Sequence, residues 1–160
     1  MGERLTTREA LSEYFEREGI KTDDQNFEEW LRDNWLRMNL FGHRIPVKPL
    51  YGFKKALALH DVHHLLTGYD TTWTGEFQVT AWEVGSGGCA PHILFWLKLV
   101  FTSLLGLVLM PTASWYAFAR GRNQRNLFRC DFRELLAREV DDLRAFIEGR
   151  VCRSGAQEYR

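Results

Sequence analysis

Residues 59–77 read LHDVHHLLTGYDTTWTGEF, and the way this stretch folds decides how the rest of the chain must be arranged. Three histidines and an aspartate fall within positions 60–64, and Glu76 follows twelve residues after the last histidine. On a helix, His60 and His64 project from one face with Cβ atoms about 6 Å apart. That spacing lets two imidazoles grip one divalent ion. Asp61 lies about 100° round the helix from His60, at the edge of the same face. There it could ligate the ion, accept a ligand's N–H or hold a water. His60 and His63 are also helical neighbours, so spacing alone leaves open which of His63 and His64 partners His60. The turn at Gly68–Thr74 reverses the chain and brings a helix carrying Glu76 antiparallel, opposite the histidines. Gly75 permits close approach of the two helices. Two histidines with one or two carboxylates leave coordination positions open, which suits catalysis better than a purely structural metal. The competing readings are a hydrogen-bonded polar cluster in the core and a solvated helix face.

Working outward, the punctuation is helical. Thr6 with Glu9 has capping-box spacing, Leu11, Tyr14 and Phe15 share a face, and Gly19 is a stop signal. Asn26 with Glu29 opens a second expected helix, striped by Phe27, Trp30, Leu31, Trp35 and Met38 and closed by Gly42. After a linker with Pro46 and Pro49, a third runs from about Leu50 to Gly68 and carries the histidines. Thr71 or Thr72 caps a fourth through Glu76 to the Gly85–Gly88 cluster. Pro91 opens a fifth that reaches Met110. A shorter helix is expected at Ala113–Arg120. Asp131 with Glu134 opens the last, striped by Phe132, Leu136, Val140, Leu143 and Ile147. Period-2 alternation is not evident, so the expected fold is all-α, a compact single-domain bundle of about five to seven helices.

At 160 residues one domain is the simplest organisation, and 45% hydrophobic residues argue against disorder. With 21 basic and 21 acidic residues the net charge is zero, which disfavours a nucleic-acid partner. The charge is uneven: residues 60–119 hold only Lys98 against Asp61, Asp70, Glu76 and Glu83. Charges that rare in an apolar segment need an explanation. Cys89, Cys130 and Cys152 form no CxxC pair, so a reducing compartment is expected. The polar N-terminus reads as neither a signal nor a transit peptide.

His60-Asp61-x-x-His64, eleven residues and then Glu76 resembles the HDxxH-x11-E signature of the ubiquinone (coenzyme Q) biosynthesis family known as Coq four. LLTG after the last histidine, GE at Glu76, WE at Glu83 and ARGR before an aromatic-led final helix are similar too. The resemblance runs from about Tyr51 to Gly149, within residues 50–149, and residues 1–49 form a divergent N-terminal helical region. It implies an all-α peripheral membrane protein that handles polyprenylated quinone precursors, removes the ring C1 carboxylate and helps to organise a biosynthetic complex. The implied metal ligands are His60, Asp61, His64 and Glu76.

The expected function is therefore a metal-dependent decarboxylase acting on a prenylated aromatic acid. The ion, zinc or alternatively iron, would hold the substrate's carboxylate or polarise its ring hydroxyl, with Asp61 as acid/base group. The alternative is a lipid-binding scaffold with a structural metal. A phosphohydrolase of the HD type fits poorly, because its further His and Asp have no counterparts. A homodimer or complex partners are also expected, in the cytoplasm or peripherally on the inner face of a membrane.

Four further features carry expectations. ILFWLKLVFTSLLGLVLM, residues 93–110, tempts a membrane-span reading, but Lys98 at a bilayer centre would cost roughly 3 kcal/mol. A core helix lining a lipid-tail pocket is expected instead, with membrane-surface docking as the alternative; Trp73, Trp82, Phe95 and Trp96 lie near the metal-binding residues in sequence. Arg120–Arg129 is read as a solvated loop or a cradle for anionic headgroups near the pocket's mouth. Cys89 and His92 form one C-x-x-H pair, too little for a zinc site. Glu83 shares a face with Glu76 and either supports the metal or precedes the helix end.

Overall fold

The structure is a computed structural model; it describes residues 5–17, 52–89 and 93–149, with the backbone of 36–40 and 43–47. Among these residues are seven helices: α1 (Thr7–Arg17), α2 (Phe53–Thr67), α3 (Trp73–Gly85), α4 (Ile93–Leu109), α5 (Pro111–Arg122), α6 (Phe132–Leu136) and α7 (Val140–Ile147). The all-α bundle expected from the sequence is what forms.

One small exception lies upstream. Strands β1 (Leu36–Leu40) and β2 (His43–Val47) pair antiparallel, Leu36 opposite Val47 and Leu40 opposite His43. The helix expected to continue through Met38 to Gly42 is therefore wrong at its C-terminal end. Leu36, Met38 and Leu40 alternate with Arg37 and Asn39, a period-2 pattern masked by counting Met38 into a helical stripe. The start of that expected helix, from Asn26 to Trp35, and the stop at Gly19 lie outside the described residues.

Local chemistry sets the other boundaries. Thr6 and Glu9 form the reciprocal capping box: Thr6 N–H donates to Glu9 Oε2 at 2.9 Å and Glu9 N–H to Thr6 Oγ1 at 3.3 Å. Gly68 ends α2 in the left-handed region, its N–H donating to the His64 carbonyl. Thr72 caps α3 by accepting the Gly75 N–H, a contact whose removal costs about 1 kcal/mol. Pro111 starts α5 at its first turn, two residues before the expected start at Ala113. The last expected helix is two: α6, capped by Asp131, stops at Leu136, and the chain breaks before α7. The break lets Thr6 pair with Glu139, and Thr7 N–H donates to the Arg138 carbonyl at 2.7 Å. Competition from this long-range pairing ends a helix that local periodicity would continue.

Helix α2 is the hub, touching α1, α3, α4, α6 and α7, and it buries Ala56, Leu59, Val62 and Leu66. Helix α3 packs most extensively against α5 and then α4. The α3–α5 crossing is backbone on backbone: a Cβ at Gly121 would strike the Trp82 carbonyl, and one at Gly85 the Phe118 carbonyl. Only glycine admits that approach.

Helix α4 departs from the core-helix expectation. It buries only Phe95, Leu99, Ser103 and Gly106, a single seam spaced by four, four and three residues. Ile93, Phe101 and Val108 are at least 70% exposed, so most of this apolar helix faces outward. At 17 residues it is about 26 Å long, short of the roughly 30 Å hydrocarbon thickness. Among the described residues no helix is long and apolar enough to cross a membrane.

Candidate metal centre

The histidines sit on the buried face of α2, at the hub of the bundle. His60, His63 and His64 are 2%, 0% and 1% exposed. Groups that polar are retained in a core only when each donor and acceptor is matched, so their partners decide their roles.

His63 is fully engaged. Its Nε2 accepts the Leu127 backbone N–H at 2.9 Å, which requires that nitrogen to be unprotonated. The proton is then on Nδ1, donated to Glu83 Oε1 at 2.7 Å. Its ring packs against Trp82 and edge-on to Phe128. Burial lowers its pKa more than Glu83 raises it, keeping the imidazole neutral. No ring nitrogen is left for a metal, which settles the ambiguity over which histidine partners His60.

His60 and His64 each keep Nε2 for the site. Nδ1 of His64 donates to the Tyr69 carbonyl at 2.9 Å; a carbonyl only accepts, so the proton is fixed on Nδ1. Nδ1 of His60 meets both oxygens of Glu83 at 2.9 Å. The two Nε2 atoms converge on one carboxylate from α3: His64 Nε2 is 3.1 Å from Glu76 Oε1, and His60 Nε2 is 3.4 Å from Glu76 Oε2. His60, His64 and Glu76 each offer a ligand atom within 4.8 Å of the others. Ligands about 2.0–2.1 Å from a tetrahedral ion stand about 3.3–3.4 Å apart, close to the two histidine–carboxylate distances. With each imidazole oriented from behind by an acceptor, the donor set fits a divalent ion. His60, His64 and Glu76 could hold one.

Electrostatics tie the same groups together. Burial would lower the His60 pKa, but the Glu83 charge and hydrogen bonds with Glu76 and Glu83 outweigh it and raise the value to about 9. Without an ion, a proton occupies Nε2 and faces Glu76. Burial raises the Glu76 pKa, yet its hydrogen bonds with His60 and His64 dominate and hold it well below the usual carboxylate range. Glu83, wholly buried, is opposed by desolvation and still held down to about 2 by the His60 charge and by hydrogen bonds from His60 and His63. Glu83 thus stands behind the site and supports it, the first of the two readings its position allowed.

Asp61 lies beside the trio and is not among the three residues at mutual ligand distance. Desolvation dominates its environment and raises its pKa to about 6, against the charges of His60 and His64. Gly75 has a different use from the one expected. Added bulk there would strike the Asp70 carbonyl and side chain, so its smallness seats the α2–α3 turn against the start of α3.

Lys98 was missed as a site residue. Its Nζ lies 3.3 Å from His60 Nε2 and 3.5 Å from Glu76 Oε2. With Phe95, whose ring meets His60 edge-on, it makes α4 one wall of the site. The signal was its isolation in an apolar helix. Trp82 is buried against His63, whereas Trp73 is 77% exposed and packs on Phe77.

The Arg120–Arg129 segment makes its described contacts elsewhere. Arg120 donates to the Thr67 carbonyl and lies over Tyr69, and Leu127 supplies the N–H behind His63. Cys89 and Cys130 are both buried, and His92 and Cys152 lie outside the described residues.

Comparison with protein-family models, curated proteins and solved structures returned no match for this chain. The class the fold and site define is a helical protein with a candidate metal centre built from two histidines and one glutamate.

Proposed function

We propose that this protein is a metal-dependent enzyme of the ubiquinone-biosynthesis type, removing the ring carboxylate of a prenylated aromatic acid. The observation that carries the metal reading is the convergence of two Nε2 atoms, each with its Nδ1 side already engaged, on the Glu76 carboxylate. The HDxxH-x11-E spacing supports the narrower reading.

When bound, a divalent ion, zinc or alternatively iron, supplies Lewis acidity that stabilises negative charge developing as CO2 departs. In this step the ring–carboxylate bond breaks, its electron pair stays on the ring carbon, and that carbon takes up a proton. Asp61, whose carboxyl feels the charges of His60, His64 and Glu76, is assigned as the proton donor, recharged from solvent. His60 and His64 present Nε2, Glu83 and the Tyr69 carbonyl hold them in orientation, and Phe95 packs edge-on against His60.

Association with a lipid surface belongs to the same reading. Helices α4 and α5 expose Leu97, Phe101, Leu104, Val108, Trp115 and Tyr116. Between Glu83 and Asp131 there is no acidic residue, while Arg122, Arg125 and Arg129 are basic. An apolar face with basic neighbours suits the interface of an anionic bilayer, where the lipophilic substrate resides.

The test is metal analysis of protein purified without chelator or nickel resin, followed by assay of CO2 release from a prenylated hydroxybenzoate. One metal per chain with turnover lost in Asp61→Asn supports the assignment. Binding of the prenylated acid without turnover would assign the protein to lipid carriage with a structural metal. No retained metal would remove the enzyme reading altogether.

A further inference from the structure

Lys98 is the only charged residue between Glu83 and Arg120, on a helix whose surface is otherwise apolar and largely exposed. Its ammonium is nevertheless turned inward, over the Phe95 ring at 5.4 Å and onto the atoms that would hold the ion. The Glu76 and Lys98 side chains are 28% and 37% exposed, while the His60 and His64 side chains are almost wholly buried. Solvent, and any ligand, therefore reaches the site past Lys98 and Glu76.

We infer that Lys98 is an anion-binding residue at the mouth of the His60–His64–Glu76 centre, holding the substrate's carboxylate beside the ion. This rests on the metal reading above. A cation held by the trio would share the sign of the ammonium now lying 3.3 Å from one ligand nitrogen and 3.5 Å from a ligand oxygen. Lys98 must then swing outward on its flexible stem, which its exposure permits. A negative group between the two cations would offset their repulsion and fix the lysine again. A carboxylate suits one ammonium. Phosphate is ordinarily gathered by several donors, and the guanidinium of Arg120 is engaged with Thr67 and Tyr69.

The experiment loads the full-length protein, Lys98→Met and Lys98→Arg with cobalt(II), and follows its visible absorption during titration with benzoate, benzamide or inorganic phosphate. All three proteins should take up the same amount of cobalt. Benzoate affinity should fall at least about tenfold in Lys98→Met, the scale of a lost hydrogen bond to a charged group. It should be largely restored in Lys98→Arg, and benzamide binding should not change. Equal benzoate affinity in wild type and Lys98→Met would overturn the inference. So would loss of cobalt from Lys98→Met, which would make Lys98 part of the centre's framework, or tighter phosphate than benzoate binding by the wild type. If wild type takes up no cobalt, the metal reading itself fails and the inference falls with it, an outcome visible before any anion is added.

Discussion

The Glu83 carboxylate lies 2.9 Å from His60 Nδ1 through both oxygens, and this contact orients a buried helical histidine as a candidate metal ligand. Glu83 is itself fully buried and shared with His63. Replacing it with Gln keeps the volume and removes the charge, leaving an amide that must both accept and donate. Metal affinity should drop about 10–100-fold in Glu83→Gln, measured by competition with a chromogenic chelator. Unchanged affinity would show that Glu83 serves only the fold.

His63 and His64 are sequence neighbours with separate tasks. His64→Ala should abolish stoichiometric metal. His63→Ala should leave the ligand trio in place but orphan the Leu127 N–H, costing about 1–3 kcal/mol beyond the lost packing. Metal content and chemical denaturation of both variants distinguish the two roles; the reverse ranking for metal would mean His63 is the true ligand.

Protonation of His60 gives metal uptake and metal-free stability opposite pH dependences. With its pKa raised from 6.5 to about 9, the imidazole must release a proton to accept an ion. Affinity should therefore climb, by up to about tenfold per pH unit from this group, until about pH 9. The stability arising from charged His60 is fully present below pH 6.5 in the metal-free protein and fades as pH rises through about 9. Glu83 and Glu76 are depressed below their ordinary values and do not titrate in that window. Calorimetric titrations in buffers of different ionisation enthalpy count the proton, and thermal melts with chelator follow the stability.

The outward face of α4 predicts a separable surface function. Phe101 and Val108 are 70% and 77% exposed, so Phe101→Ser with Val108→Ser should leave metal content and melting nearly unchanged. Binding to vesicles containing phosphatidylserine should weaken severalfold, since the affinity of such a face combines buried apolar area with electrostatic attraction to anionic lipid. The wild-type protein should leave membranes in high salt or alkaline carbonate, because none of the described helices is able to cross a bilayer. Retention under both treatments would contradict that.

The sequence by itself determined the helices whose signals are local: the Thr6–Glu9 capping box, a cap at Thr71 or Thr72, and the Gly68 stop. It also determined that His60 and His64 share a face, because an i,i+4 spacing is a property of one helix. The His60–Glu83 and His63–Leu127 contacts join residues 23 and 64 positions apart, and no periodicity reports which partners such distances bring together. Tertiary structure alone excluded His63 as a ligand, by spending both its nitrogens, and placed Lys98 at the mouth. It also split the last helix, where pairing of Glu139 with Thr6 outweighed local helical preference. Beside β1, the alternation in Leu36–Leu40 was present in the sequence but overlapped a helical stripe; two periods competed over five residues, and antiparallel pairing with His43–Val47 decided between them.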